Sequence, residues 1–214
     1  MTQIEFIRQE IEKYRPREPI YTAVLAAALA KQFQMPERKA ALATAVVVKR
    51  LLGRGAIPSL RFYQKGVYYK TKRTAFGEMG ISMDALIFDK YLAGDNGYET
   101  GAALLHQIGL TTQIPGQVVI ATNKRTDGLR EDKKLGVFVR PAKTTVTKEN
   151  KRYLQILDVL ELFDRVPIDA AEPFRIVSAY IAKLGLEYKV LLDFAGRFYT
   201  KDVVFKLARV AGSF

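Results

Sequence analysis

Cysteine is absent from the sequence, and His106 is its single histidine. Without cysteine the chain can form neither disulfide bonds nor thiolate metal sites, so a metal ion could be held only by a cage of carboxylates. The longest apolar run, residues 23–30, is far too short and too rich in alanine to cross a bilayer. The first residues lack the basic segment and apolar core of an export signal. We therefore expect a cytoplasmic protein with no membrane partner.

Catalytic motifs are scarce as well. No phosphate-binding loop that ends in Gly-Lys-Ser or Gly-Lys-Thr occurs. Catalysis by a Ser-His-Asp or Cys-His arrangement would need His106, but a lone histidine in the apolar segment AALLHQIGL is more often a packed or surface residue. The sequence therefore predicts neither an enzyme nor a bound cofactor or metal.

Two groups of carboxylates leave one enzymatic alternative open. Asp158 and Glu161 lie on an amphipathic segment, and Asp127, Glu131 and Asp132 lie in a segment of mixed charge. Both groups are interpreted as solvated surfaces. A metal-dependent nuclease, however, needs only two or three carboxylates and a lysine. A nuclease that uses a basic domain to deliver its substrate therefore remains an alternative.

Acidic residues are few in the first third of the chain. Residues 1–74 hold 15 Lys and Arg against 5 Asp and Glu, a net charge of +10 out of +12 for the whole chain. Between residues 37 and 73 there are ten basic residues and one acid, Glu37. A solvated basic surface could explain this, but such surfaces usually mix the two signs. The asymmetry therefore favours a polyanionic partner.

The first 75 residues follow the element order of a winged helix-turn-helix. Helical spacing is found in IEFIRQEIEKY, IYTAVLAAALAKQF and ERKAALATAVVVKRLL, and SLRFYQKGVYYKTKR is typical of a β-hairpin that turns at Gly66. In that arrangement the third helix enters the major groove of DNA and the hairpin lies along the backbone or the minor groove. The predicted core of this region comprises Val46, Val47, Leu51 and Leu52 of the third helix and Phe62, Val67 and Tyr69 of the hairpin.

The same order assigns the DNA contacts. Near the start of the third helix, Arg38, Lys39 and Thr44 are candidates for base edges or phosphates. Lys49, Arg50 and Arg54 are better placed for phosphates, and Arg61, Lys65 and Lys70 are assigned to the outer side of the hairpin. Lys72 and Arg73 complete the set of predicted DNA contacts.

Beyond residue 80 the pattern changes to a mixture of helices and strands. Helices are predicted over residues 83–92 and 97–110, strands over 117–122, 135–141 and 143–147, and a charged loop over 123–134. The last third returns to helix, with a break expected near Gly196. The predicted fold class is therefore α+β: a winged helix-turn-helix domain over residues 1–80, then a mixed α/β domain over residues 81–214 that ends in a helical segment.

The segment GYETGAALLHQIGLTTQIPGQVVIATN, together with RFYQKGVYY, resembles a known family. Its motif Gly109, Leu110, Thr111, Thr112, Gln113 and Pro115, followed by an apolar strand that ends in Ala-Thr-Asn, is similar to the AbiEi-like antitoxins of type IV toxin–antitoxin systems, which act in abortive infection against phage. The likeness covers roughly residues 40–125 and is weaker over LLDFAGRFY.

The resemblance implies a repressor that binds double-stranded DNA at repeats in its own promoter. It also implies a C-terminal domain that opposes a nucleotidyltransferase-like toxin without requiring a tight complex with it. The motif itself has a structural explanation: Gly109 ends a helix, Thr111 and Thr112 can bond their own backbone, and Pro115 leads into the next strand. A role in a functional surface remains the alternative. An RNA-binding module is the other open hypothesis, because a basic aromatic hairpin can also stack on bases.

Overall fold

A computed structural model describes residues 1–213 and divides the chain into two compact units, the first spanning Met1–Leu86 and the second beginning at Ile87. The sequence placed this boundary after residue 80. Residues 81–86 stay with the first unit, where the Ser82 amide donates a hydrogen bond to the Arg17 carbonyl oxygen at 2.8 Å. The expectation of a chain that mixes helices and strands, with helices at both ends, is confirmed.

Three helices form the body of the first unit. They are α1 (Gln3–Lys13), α2 (Thr22–Phe33) and α3 (Glu37–Gly53). Helix α1 begins with a capping box, in which Thr2 and Glu5 each accept a hydrogen bond from the backbone amide of the other. The apolar stripes of the three helices meet in one core, built mainly from Ile7, Ile11, Leu25, Leu29, Val48 and Leu51.

A small antiparallel sheet completes this core. Strands β1 (Ile20–Tyr21), β2 (Leu60–Gln64) and β3 (Val67–Lys70) lie in the order β1-β3-β2, with the hairpin turn at Lys65 and Gly66. The predicted hairpin is therefore present. Two predicted core residues are wrong: Val46 and Phe62 are 57% and 55% exposed. Val48 is buried in place of Val46, because α3 presents that position to the core. On β3, Tyr68 belongs to the core, whereas the predicted Tyr69 is half-buried.

A second hairpin follows directly where the sequence suggested only a boundary loop. Strands β4 (Lys72–Thr74) and β5 (Gly77–Met79) pair antiparallel across a two-residue turn. Gly77 has φ +111°, a conformation that side chains rarely adopt, and its presence allows so tight a turn. The short helix α4 (Met83–Ile87) then leads to the second unit.

The second unit contains a four-stranded mixed sheet. Its strands β6 (Gly97–Thr100), β7 (Val118–Thr122), β8 (Arg130–Asp132) and β9 (Val137–Pro141) lie in the order β6-β7-β9-β8, with β7 and β9 parallel and the other pairs antiparallel. A π-helical turn over Phe88–Leu92 precedes the sheet, and helix α5 (Ala102–Gln107) follows β6.

Three sequence-based assignments in this sheet are wrong. Residues 97–100 form a strand rather than the start of a helix. Burial alternates along them, since Tyr98 and Thr100 are buried and Glu99 between them is exposed. Residues 130–132, expected in a loop, pair with β9. Residues 143–147 form no strand; there the Val146 amide donates to the Asn123 side chain at 2.8 Å.

Four helices end the described chain: α6 (Lys151–Leu162), α7 (Pro173–Leu184), α8 (Tyr188–Phe198) and α9 (Lys201–Ala211). Their apolar faces share a core with α5, centred on Leu105, Leu157, Ile181, Leu191 and Val203. The break between α8 and α9 lies at Tyr199 and Thr200, not near Gly196, which is an exposed helical residue. No helix within residues 1–213 is long and apolar enough to span a membrane.

A buried carboxylate, that of Asp158, joins α6 to the sheet, which corrects its interpretation as part of a solvated surface. Asp158 is 1% exposed and accepts hydrogen bonds from Thr100 Oγ1 and Tyr199 OH, each at 2.8 Å, and from the Arg140 guanidinium. Burial, and then the Asp158 charge, raises the pKa of Tyr98 and Tyr199, so both hydroxyls remain protonated. This network fixes the register of α6 on β6 and β9.

Asp158→Ala should lower the free energy of unfolding by about 3–5 kcal/mol, because it leaves the largely buried Arg140 without its counter-charge. The matched control is Asp193→Ala, which removes an exposed pair with Arg197 on α8 and should cost less than about 1 kcal/mol. Urea denaturation of the three proteins measures both effects. Equal losses would contradict the role given to Asp158.

Candidate nucleic-acid interface

Helix α3 has one buried side and one exposed side. Ala40, Thr44, Val47, Val48 and Leu51 recur at steps of three and four residues, which places them on the core-facing stripe. The opposite side contains the basic residues Arg38, Lys39, Lys49 and Arg50, and Arg54 follows at the helix end; all five are exposed. Five of the six DNA-contact candidates of this helix are therefore exposed to solvent.

Small apolar side chains separate the basic residues on this face. Ala41, Leu42, Ala45 and Val46 are exposed between Arg38–Lys39 and Lys49–Arg50, with Leu42 at 65% and Val46 at 57%. Sequence reasoning assigned Val46 to the core and did not identify this stripe. A helix with cations at both ends and small apolar residues between them can lie close to a groove, where apolar side chains can contact thymine methyl groups.

Thr44 does not belong to this surface. The sequence proposed it for base or phosphate contacts, but its side chain is fully buried and its hydroxyl has no hydrogen-bond partner within residues 1–213. It lies one turn from Ala40 and Val48, both fully buried, so the helix directs it to the core. Thr44 is therefore removed from the candidate contacts.

Two of the three predicted cations of the β2–β3 hairpin are already engaged. Arg61 forms a bidentate ion pair with Glu78 of β5, at 2.8 and 3.0 Å. Lys70 Nζ donates to the Glu12 carbonyl oxygen at 2.8 Å, near the C-terminal end of α1. Both side chains thus have a partner within the first unit, and their contacts to DNA stay a prediction. Lys65, at the turn, remains exposed.

Eight candidate cations have no acidic partner. In the described chain, the ion pairs of the first unit join Arg8 to Glu12, Lys13 to Glu10 and Arg61 to Glu78. These pairs leave eight exposed candidates without a counter-charge: Arg38, Lys39, Lys49, Arg50, Arg54, Lys65, Lys72 and Arg73. Arg15 and Lys31 of the same unit are exposed and unpaired as well. A solvated basic surface typically mixes the two signs, whereas the eight candidates lie within a segment that contains two acids, Glu37 and the already paired Glu78.

Four of the carboxylates that were considered for a nuclease site are each paired with a cation. Asp158 pairs with Arg140, Glu161 with Lys143, Asp127 with Arg125, and Asp132 with Lys90. Burial would raise the pKa of Asp132, but hydrogen bonds from Lys90 and Tyr91 outweigh it and hold this pKa below its usual range. No three His, Asp or Glu side chains come together as a metal cage in residues 1–213. His106 is exposed on α5.

The segment 109–115 leads from α5 toward β7 within the second unit. Gly109 has φ +82° after α5, and Leu110 and Thr111 are buried. Thr112 does not bond its own backbone as expected; its amide and its hydroxyl both donate to the carboxylate of Asp169, between α6 and α7. Thr111 Oγ1 accepts from the Gln113 amide at 3.2 Å, and Ile114 is 86% exposed. Pro115 is half-buried shortly before β7.

Comparison with known proteins gives no match to a protein-family model or to a curated protein. The likeness of residues 40–125 to AbiEi-like antitoxins therefore stays a prediction. The unpaired cations and the exposed face of α3 are the physical basis for a functional proposal.

Asp169→Asn should destabilise the chain in a pH-dependent way. The Thr112 hydroxyl and then its amide hold the pKa of Asp169 below its usual range. The difference in unfolding free energy between the parent chain and the variant should therefore be largest above the ordinary carboxyl pKa of about 3.9. It should vanish as pH falls through the lower pKa that Asp169 has in the folded chain. Urea titrations from neutral to acid pH measure this difference. Asp193→Asn is the control, and a pH-independent loss for Asp169→Asn would contradict the assignment.

Thr44→Val should leave the free energy of unfolding unchanged or raise it by about 1 kcal/mol. The substitution keeps the volume and removes a buried hydroxyl that has no partner in the described part of the chain. The control is Thr122→Val, because the buried Thr122 hydroxyl donates to the Asn96 carbonyl oxygen at 2.9 Å and its loss should cost about 1–3 kcal/mol. Thermal and urea denaturation compare the two. A large loss for Thr44→Val would show that its hydroxyl is bonded.

Proposed function

We propose that this chain is a sequence-specific repressor that binds double-stranded DNA through a winged helix-turn-helix within residues 1–86. The observation that carries the proposal is the set of eight exposed cations without acidic partners, which lie on α3, on its C-terminal end and on two hairpins of one unit. A polyanion satisfies such a set, and phosphate contacts supply most of the affinity in DNA binding.

The element order supports a winged helix. Three helices precede a hairpin, and the short strand β1 between α1 and α2 joins that hairpin in the order β1-β3-β2. In this arrangement α3 is the helix available to the major groove, and its exposed side is the one that contains the cations. The first unit also has its own apolar core, so it can present α3 as a rigid surface.

The exposed side chains divide into two roles. Lys49, Arg50, Arg54 and Lys65 serve phosphates, which fix register without selecting sequence. Arg38 and Lys39 lie near the N-terminus of α3 and are proposed for base edges. The exposed apolar stripe around Leu42 adds contacts to thymine methyl groups. Affinity then comes from both ends of the helix, and sequence preference from its N-terminal half.

The second unit is proposed to oppose a nucleotidyltransferase-like toxin, as the AbiEi-like resemblance of segment 109–115 implies. The exposed Gln113 and Ile114 are the part of that segment available to another molecule, since Leu110 and Thr111 are buried and Thr112 is bonded to Asp169. In this proposal the chain acts in the cytoplasm of a bacterium, represses its own promoter and carries out no chemical step.

The salt dependence of DNA binding tests the proposal. If about six of the eight cations neutralise phosphates, log affinity should fall with log salt at a slope of about −5. Replacing Lys49, Arg50 and Lys65 together by alanine should make the slope shallower by about 2.7, because three phosphate contacts are lost. Fluorescence anisotropy with a labelled duplex from the DNA upstream of the coding sequence measures both slopes.

A charge-matched control separates the interface from net charge. Lys183, Lys189 and Lys201 are exposed cations of the second unit, and their joint replacement by alanine removes the same charge. That variant should keep the slope of the parent chain. Equal effects of the two triple variants, or tighter binding of RNA than of the duplex, would overturn the proposal. Cleavage of either nucleic acid with Mg²⁺ or Mn²⁺ would favour the nuclease alternative.

A further inference from the structure

The turn of the β4–β5 hairpin presents an aromatic side chain entirely to solvent. Phe76 is 102% exposed, more than any other large apolar side chain described in residues 1–213. A single exposed apolar side chain is common on protein surfaces, so its exposure acquires meaning only from the groups that hold it and the charges on the same hairpin. The contacts of the hairpin determine whether Phe76 is held in place.

Contacts at its base fix the hairpin to the rest of the first unit. Glu78 forms the bidentate pair with Arg61 of β2, and Thr71 Oγ1 donates to the Met79 carbonyl oxygen at 2.9 Å. Arg17 Nε donates to the Gly80 carbonyl oxygen at 3.1 Å. The hairpin is therefore anchored through β5 and the residue that follows it.

Hydrogen bonds within the turn define where Phe76 lies. Thr74 Oγ1 donates to the Gly77 carbonyl oxygen at 2.9 Å and accepts from the Phe76 amide at 3.3 Å. Gly77, at φ +111°, provides the backbone conformation that closes the two-residue turn. The ring thus projects from a defined tip.

The charges around the tip favour a nucleic acid over an apolar protein surface. Lys72 and Arg73 are exposed on β4 and have no acidic partner in the described chain. The one acid of the hairpin, Glu78, is neutralised by Arg61. In the strand register Arg73 lies opposite Glu78, and Lys72 lies opposite Met79 at the end of the hairpin away from the turn. An aromatic tip on a hairpin that also carries cations is a combination by which proteins hold the DNA backbone and place an apolar wedge at a base step.

We propose that Phe76 inserts at a base step of the bound duplex, from the minor-groove side, while Lys72 and Arg73 hold the flanking phosphates. This inference rests on the proposed DNA-binding function and adds a second contact region beside α3. Partial unstacking of one step would bend the duplex, so the β4–β5 hairpin would make the chain sensitive to how easily its site deforms.

The absence of tryptophan gives a direct test. In the Phe76→Trp variant of the full chain, the introduced side chain is the sole tryptophan, and stacking on bases should quench its fluorescence as duplex is added. Phe205→Trp is the matched control, since Phe205 is 71% exposed on α9 of the second unit and should show no quenching.

Affinity measurements complete the test. Phe76→Ala should weaken duplex binding about tenfold at an unchanged salt slope, because a stacked side chain is lost and phosphate contacts are kept. Lys72→Ala combined with Arg73→Ala should instead reduce the slope by about 1.8. A duplex with a flexible TA step at its centre should bind more tightly than an otherwise equal duplex with a stiff A-tract there, and Phe76→Ala should abolish that difference.

The outcomes separate this inference from the proposed function. If the parent chain binds no duplex at low salt, the DNA-binding proposal itself fails. If it binds with the predicted slope but Phe76→Trp is not quenched and Phe76→Ala retains full affinity, the wedge is wrong and the interface on α3 stands. A change in the fluorescence of Phe76→Trp with protein concentration, without DNA, would overturn the inference in favour of contact with a second copy.

Discussion

The packing of α3 on the core of the first unit is the constraint from which the functional surface follows. Ala40, Thr44, Val48 and Leu51 must face inward for α1, α2 and the sheet to close around them. Once that stripe is buried, helical geometry requires the cations of α3 to face outward. A rotation of the helix by one residue would bury charge, which is costly without a partner. The fold and the basic face are thus set by the same apolar contacts.

Long-range pairing then decides which cations are free. Arg61 and Lys70 lie close in sequence to Lys65 and Lys72 and carry the same charge. They differ because Glu78 and the end of α1 lie within reach of Arg61 and Lys70 once the chain has folded. Counting charge along the sequence overestimates the surface available to a polyanion, and the structure reduces the hairpin contribution accordingly.

The sequence predicted most helices of the chain and the first hairpin, because apolar spacing and turn residues are local signals. It failed where only tertiary packing decides which residue is buried or whether a segment is helix or strand. In the run Ala45–Val48 every residue is apolar, so the orientation of Val46 and Val48 could not be obtained from periodicity. Strand β6 was assigned to a helix because four residues are too few to show alternation before α5. The Thr112–Asp169 contact spans 57 positions and has no local signal.

The exposed apolar side chains of α3 and of the β4–β5 hairpin share one explanation under the proposed DNA binding. Leu42, Val46 and Phe76 are exposed on elements that also carry unpaired cations. Under the proposed DNA binding, phosphates would neutralise the cations, while base methyls and base faces would cover the apolar groups. The scarcity of acids near α3 fits the same proposed partner, because an acid there would neutralise the cations in the free chain and would repel phosphates in the complex.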